Sequence, residues 1–257
     1  MCALFKFAKP RSSIAQPPPV PALDLKEAQL AACSYGQRTG GDLHDYIRVN
    51  PDRVLFAMID VAGRQEQNRA IVAAAQSAFR ACGQQLLSKQ DANEADAMIE
   101  ICVQMNRAIL KAAERVCSCA AFAGCYNESL GTVCYVNAGH TPALLRDRTG
   151  VIELGATGLP LGLFSHSAAD ASMVALEPGA ALVLVSRGLV EATRKGKDFG
   201  MGQIKELIGA RAQTAEQICA SLLGHVQQFA GPKPLEHAGT VLALARSAAA
   251  KAFAASL

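Results

Sequence analysis

The chain has 257 residues, which is one large domain or two small ones. Lysine and arginine number 25 against 22 acids, a balance of +3 that carries no strong basic stripe and argues against a dedicated nucleic-acid binder. Hydrophobic residues make up 51% and charged residues 18%, enough for a sizeable core and against a disordered chain.

No run of about 18 apolar residues occurs, so no membrane helix is expected. The apolar patch within residues 1–9 is too short for a secretory signal. Nine cysteines, an odd count at irregular spacing, predict free thiols in a reducing cytoplasm rather than a disulfide framework. Cys117, Cys119, Cys125 and Cys134 lack C-x-x-C pairing and fall in apolar, strand-like runs. They read as small buried hydrophobes before they read as a zinc site.

Residues 1–22 are expected to be a disordered tail, because Pro10, Pro17, Pro18, Pro19 and Pro21 deny it helix and ladder hydrogen bonds. Residues 23–246 read as one domain and 247–257 as an Ala-rich C-terminal tail. Within the domain, residues 28–34 predict a first strand. The continuous apolar run 54–59, ending at Asp60, suits a strand buried on both faces. Residues 66–87 are helical, with Ile71, Ala75, Ala78, Cys82 and Leu86 as the apolar stripe. Asn93 caps a second helix whose stripe is Met98, Cys102, Met105 and Ile109.

Strands at 116–126 and 132–136 flank a turn at 127–131, and strands at 142–146 and 151–154 flank another at 147–150. Strands at 172–176 and 181–185 are joined through Glu177-Pro178-Gly179, a third turn in the meander. Helices at 202–210 and 215–230, the latter capped by Thr214, precede a last strand at 240–245. Antiparallel strands with segregated helices predict an α+β fold with two sheets between helical layers.

Acids at strand ends beside glycines are candidates for holding a hard cation. Asp60 precedes Val61-Ala62-Gly63; Asp42 follows Gly40-Gly41, with Asp45 three residues on. Ser118 and Ser129 have no Ser/His/Asp constellation in support. His44 reads as a solvated strand residue, and Arg194-Lys195-Gly196-Lys197 as a solvated basic loop able to touch a phosphate.

Six segments in order carry a family resemblance. Gly40-Gly41-Asp42-Leu43-His44-Asp45-Tyr46 resembles G-G-D-x-x-D-[FY], and Ile59-Asp60-Val61-Ala62-Gly63-Arg64 resembles G-D-V-S-G-K. Asn137-Ala138-Gly139-His140-Thr141-Pro142 matches N-A-G-H-x-P, and Gly158-Leu159-Pro160-Leu161-Gly162 matches G-x-P-L-G. Leu176-Glu177-Pro178-Gly179 matches L-x-P-G-D with Ala180 in place of the acid, and Ser186-Arg187-Gly188-Leu189-Val190-Glu191-Ala192, then Phe199-Gly200, resembles T-D-G-[VL]-x-E-A…F-G. The set resembles the metal-dependent protein phosphatase (PPM) family, in its bacterial sporulation stage II protein E branch.

The resemblance implies a β-sandwich flanked by helices (α/β/β/α) and hydrolysis of phosphoserine or phosphothreonine by water activated on two Mn²⁺ or Mg²⁺ ions. The bridging acid maps to Asp60, the carbonyl ligand of the first ion to Val61, and a further acid near that ion to Asp42. The resemblance leaves His140 a structural turn residue. Both private ligands of the second ion are replaced: the T-D-G acid by Arg187, and the C-terminal acid by His237, in His237-Ala238-Gly239-Thr240. A guanidinium is always charged and has no lone pair for a metal. Arg187 is therefore expected to stand in for the second ion's charge and pair with Asp60 or Asp42; an exposed loop arginine is the alternative. His237 retains a lone pair that suits a transition metal, though a loop histidine without a role fits as well.

One ion at most, or none, is then expected at Asp42, Asp60 and Val61. Two readings follow. One is a weak phosphatase or pseudophosphatase that binds a phosphoprotein such as an anti-sigma-factor antagonist in partner-switching signalling. The other is an active phosphatase running on a single metal. A zinc or thiol-redox protein built on the cysteines is the third and weakest. A homodimer is compatible with all of them; a nucleic acid or membrane partner is not expected.

Overall fold

The computed structural model describes residues 22–35, 43–62, 65–114, 116–166, 169–209, 213–231 and 238–248. Residues 1–21 of the proposed 1–22 tail, the Gly40-Gly41-Asp42 segment, Gly63-Arg64, His237 and the last nine residues lie outside the described residues.

In chain order the elements are β1 (Leu23–Asp24), β2 (Ala28–Tyr35), β3 (Leu43–Asn50), β4 (Arg53–Val61), α1 (Gln65–Leu87), α2 (Glu94–Ala112), β5 (Cys119–Asn127), β6 (Thr132–Ala138), β7 (Ala143–Asp147) and β8 (Gly150–Leu154). They continue with β9 (Ser172–Ala175), β10 (Ala181–Val185), α3 (Arg187–Val190), β11 (Thr193–Arg194), β12 (Lys197–Asp198), α4 (Gly200–Gly209), α5 (Ala215–Ala230) and β13 (Gly239–Arg246). One sheet runs β1-β2-β13-β10-β7-β8, a second runs β3-β4-β5-β6-β9, and every pairing is antiparallel.

The alternation along β4 shows why a nine-residue strand can be apolar throughout. Val54, Phe56 and Met58 face the space between the sheets, where they meet Leu182, Leu184, Leu242 and Leu244 of the first sheet. Leu55, Ala57 and Ile59 face α1 and α2 on the other side. The outer face of the first sheet is covered by α4 and α5, which bury Ile204, Ile208, Ile218, Leu222 and Val226 against Val183, Val185, Val241 and Ala243. The expected α+β sandwich of layers α/β/β/α is the one found.

Several boundaries follow the residues that set them. The Asn93 side chain accepts from Ala95 N and Asp96 N and starts α2. Thr214 and Gln217 form a reciprocal capping box at the start of α5, and Gly231 at φ 73° ends it. Asp147 Oδ1 accepts from Thr149 N and Gly150 N and closes the β7–β8 hairpin.

Three expectations change. The 177–179 turn does not close a hairpin: β9 pairs with β6 in one sheet and β10 with β7 and β13 in the other, so the turn carries the chain between sheets. The stripe of α1 is rotated by about one position, with Ile71, Ala75, Phe79, Gly83 and Leu87 innermost and Ala78, Cys82 and Leu86 half-buried on its flank. The sequence reading places His44 in a strand but gives β3 no range, because its polar residues obscure the alternation. Its Asp45 points inward and is held by Arg80 (Nε to Oδ2, 2.6 Å) and Gln76 (3.0 Å) of α1, so that acid is occupied as a structural anchor.

Candidate functional site

The strand ends that carry the motifs converge at one end of the sandwich. Val61 at the end of β4 pairs with Cys119 at the start of β5. The end of β6 abuts them through an Ala121–Gly139 bridge. The end of β10 at Val185 pairs with Val241 near the start of β13, and Gly239 pairs with Tyr35 at the end of β2.

The Asn137-to-Pro142 segment is a built turn rather than a catalytic loop. Asn137 Oδ1 accepts from His140 N (2.8 Å), and its Nδ2 donates to Leu154 O. Gly139 takes φ 73°, and a Cβ there would sit 2.5 Å from the Pro160 ring, so the glycine and the Pro160 of the next motif require each other. Thr141 donates its hydroxyl to Val185 O, tying the turn to the end of β10.

That bond fixes the state of His140. The only Thr141 hydroxyl proton is spent on Val185, so His140 Nδ1 carries its own proton and donates to Thr141 O (3.0 Å). Nε2 is left as a bare acceptor with no partner among the described residues, in a residue only 5% exposed. Burial pushes the imidazole pKa below its ordinary 6.5; the hydrogen bond to Thr141 and the negative charge of Asp60 oppose this. His140 is thus a buried neutral histidine, in agreement with a structural role.

A depressed histidine pKa contributes stability that is present above the unfolded value and lost as pH falls through it. Below pH 6.5 the unfolded chain takes up a proton that the folded chain refuses. The slope is at most about 1.4 kcal/mol per pH unit for one group. Denaturation midpoints measured from pH 7 to pH 5 are expected to fall more steeply for the natural chain than for His140→Asn; equal slopes would contradict this assignment.

Asp60, on β4, is partly buried, its side chain 18% exposed. Arg187, the first residue of α3, places Nε 3.8 Å from Asp60 Oδ2, and the same distance from Glu191 Oε2 one turn later. This is ion-pair contact without a hydrogen bond. The Arg187 guanidinium makes no hydrogen bond among the described residues and the side chain is 51% exposed, so its fork remains open on the outer side. Ser186 before it is buried; its hydroxyl donates to Ala238 O and accepts from Thr240 N, which fixes the start of β13 beside the arginine.

The Val61 carbonyl, the other expected ligand, accepts a hydrogen bond from Asn68 Nδ2 of α1 (3.1 Å). Asn68 is a residue the sequence reading passes over. Its signal was a polar side chain three positions before Ile71 on the inward face of α1. Both groups expected to hold a cation therefore already face donors. Among the described residues no group of three or more His, Cys, Asp or Glu side chains is placed to hold a metal ion. The positive charge of Arg187 stands beside Asp60. Asp60 and the second lone pair of Val61 O are oxygen donors at this strand end, and Asp42 lies outside the described residues.

Cys117 and Cys119 stand with sulfurs 3.7 Å apart, and Cys125 and Cys134 are cross-strand neighbours. These thiols are free, and no helix among the described residues is long and apolar enough to cross a membrane.

Comparison with known proteins agrees with this architecture. The family model described as stage II sporulation protein E (SpoIIE) matches residues 50–246. Protein IcfG of Synechocystis sp. is 22% identical over 233 residues, 81% of this chain; the chain spans 37% of that relative's length. The SiaA-PP2C domain of Pseudomonas aeruginosa superposes with a TM-score of 0.69 at 17% identity, covering 83% of each chain. The RsbU and RsbW domains of a Mycobacterium tuberculosis protein superpose at 0.70 and 22% identity, covering 87% of this chain and 62% of that one. The chain belongs to the stage II sporulation protein E family and has the fold of the PPM (PP2C-type) serine/threonine phosphatases.

Proposed function

We propose that this chain is a phosphoprotein-binding member of its family with weak or absent turnover. The observation that carries this is Arg187 at 3.8 Å from Asp60. At an effective dielectric of about 20, a unit charge at about 4 Å is worth about 4 kcal/mol per opposing unit charge, and a divalent ion would meet twice that as repulsion. The Arg187 side chain is half exposed, and solvent screens the figure several-fold. What survives still disfavours a second Mn²⁺ or Mg²⁺ by at least tenfold in affinity.

The same guanidinium suits a phosphoryl oxygen, to which its open fork can donate two parallel hydrogen bonds. Lys195 and Lys197 of the following hairpin are exposed and add positive charge to the same stretch of chain. The partner class that the family likeness supports is a phosphorylated protein of the anti-sigma-factor-antagonist kind, as in partner switching. The second reading, a phosphatase running on one ion, rests on the survival of Asp60 and the Val61 carbonyl side by side at the end of β4.

Mn²⁺ titration by calorimetry and p-nitrophenyl phosphate turnover separate the two. The natural chain is expected to take at most one Mn²⁺ and to show turnover that Asp60→Asn leaves unchanged. Arg187→Asp combined with His237→Asp is expected to gain Mn²⁺ binding by at least tenfold. Two Mn²⁺ ions on the natural chain, or turnover that Asp60→Asn abolishes, would overturn the proposal.

A further inference from the structure

Eight cysteines lie among the described residues, and six of them stand in pairs. Cys125 and Cys134 face each other across β5 and β6 but are buried, and burial pushes both thiols up, Cys134 to about 11. Cys117 and Cys119 touch at 3.7 Å, but burial holds the Cys119 thiol far above its ordinary value. The third pair differs. Cys33 is half-buried on β2, and Cys219 is buried in the middle of α5, which packs on that strand.

The backbone sets these two sulfurs together. Cys33 pairs in register with Val241 of β13. Cys219 Sγ lies 3.6 Å from Ala31 O and 3.9 Å from Val241 O, so it straddles β2 and β13 at the level of Cys33. Cys33 and Cys219 both pack into the cluster between the first sheet and α5. The interaction with Cys219 pulls the Cys33 pKa down to about 7, against burial and the Glu216 charge, while Cys219 is pushed well up. Tyr46, from the other sheet, is the further titratable group that senses Cys33, and its hydroxyl is raised. Cys33 is thus the half-buried sulfur with the lowered thiol pKa and Cys219 the buried one with the raised pKa, the division of labour between an attacking and a resolving cysteine.

We propose that Cys33 and Cys219 are a peroxide-sensitive dithiol that oxidises to a disulfide tying α5 to β2. The Cys33 thiolate attacks one oxygen of a hydroperoxide and the O–O bond breaks. Cys33 becomes a sulfenic acid, and the other oxygen leaves as water or alcohol after taking a proton. The Cys219 sulfur then attacks the Cys33 sulfur, the S–O bond breaks, and the oxygen leaves as water with the Cys219 proton. Two thiols are oxidised and one peroxide is reduced; an external dithiol reverses the step. The crosslink falls two residues before Tyr35, where β2 and β13 leave towards the segments carrying Asp42 and His237.

The test uses the full chain, hydrogen peroxide as oxidant, iodoacetamide as trap and non-reducing peptide mass spectrometry. A Cys33–Cys219 linked peptide is expected, two hydrogens lighter than its parts and lost on adding dithiothreitol. Cys117→Ser should leave it intact. Cys219→Ser should let Cys33 proceed to the sulfinic acid. Before oxidation, Cys33 alkylation should follow a pH profile with its midpoint near 7. An alkylation midpoint near 9, peroxide treatment that leaves Cys33 alkylatable, or a Cys117–Cys119 disulfide formed in its place would each overturn the proposal. The alkylation profile needs no variant to fold.

Discussion

Arg53→Met is expected to destabilise the fold by about 3–5 kcal/mol, the cost of leaving a buried charge without its partner. Arg53 opens β4, and its Nε donates to Glu94 Oε1 at 2.6 Å with both side chains almost fully buried. Its two terminal nitrogens donate to Lys89 O and Gln90 O, the backbone that joins α1 to α2. Asn127 at the end of β5 gives Glu94 a second donor (2.6 Å). The methionine variant thus strips the linker carbonyls of donors and leaves the Glu94 carboxylate with one amide. The position of Glu94 in the first turn of α2 softens the loss, because the helix N-terminus favours negative charge. Adding Glu94→Gln removes the stranded charge, keeps an acceptor for Asn127, and should recover most of the loss. Urea denaturation of the single and double variants measures both effects. A cost under about 1 kcal/mol for Arg53→Met would place the pair among ordinary surface bridges.

The second large effect is expected between the sheets. Phe122 of β5 is fully buried, stacked on Phe56 (centroids 6.3 Å apart) and Tyr135 (5.2 Å). Phe122→Ala removes the middle of that three-ring row and leaves a void walled by strands that cannot collapse independently. The expected cost is about 3–5 kcal/mol. Phe122→Leu, which refills much of the volume, should cost less than half of it. A thermal midpoint for Phe122→Ala within about 2 °C of the natural chain would show that the row is not a packing centre.

How far the sequence speaks for itself depends on where each element's information lies. The ends of α5 are legible because Thr214, Gln217 and Gly231 each act on backbone within a few residues. β4 is legible because burial on both faces erases polar residues from it. β3 is not, since its inward Asp45 is compensated by Arg80, 35 residues on, a partner no local pattern shows. The 177–179 turn reads as a hairpin because turn chemistry is the same whether the next strand joins its own sheet or the facing one. The candidate site divides in the same way. Asp60, Val61 and Arg187 stand in contiguous motifs, and the expected closeness of Arg187 to Asp60 appears at 3.8 Å. Asn68 and Thr141 do not, because their parts depend on which carbonyls the tertiary fold brings to them.

The route of the chain between the two sheets has a further consequence. It leaves the second sheet after β6, builds β7 and β8 in the first, returns for β9, and leaves again for β10. Each leaf is thus stitched from pieces of sequence that alternate with pieces of the other, and β13 completes a leaf begun at β1. There is no seam along which a half-molecule could be inherited, spliced or nicked away as a self-sufficient module, so the leaves must be gained and lost together.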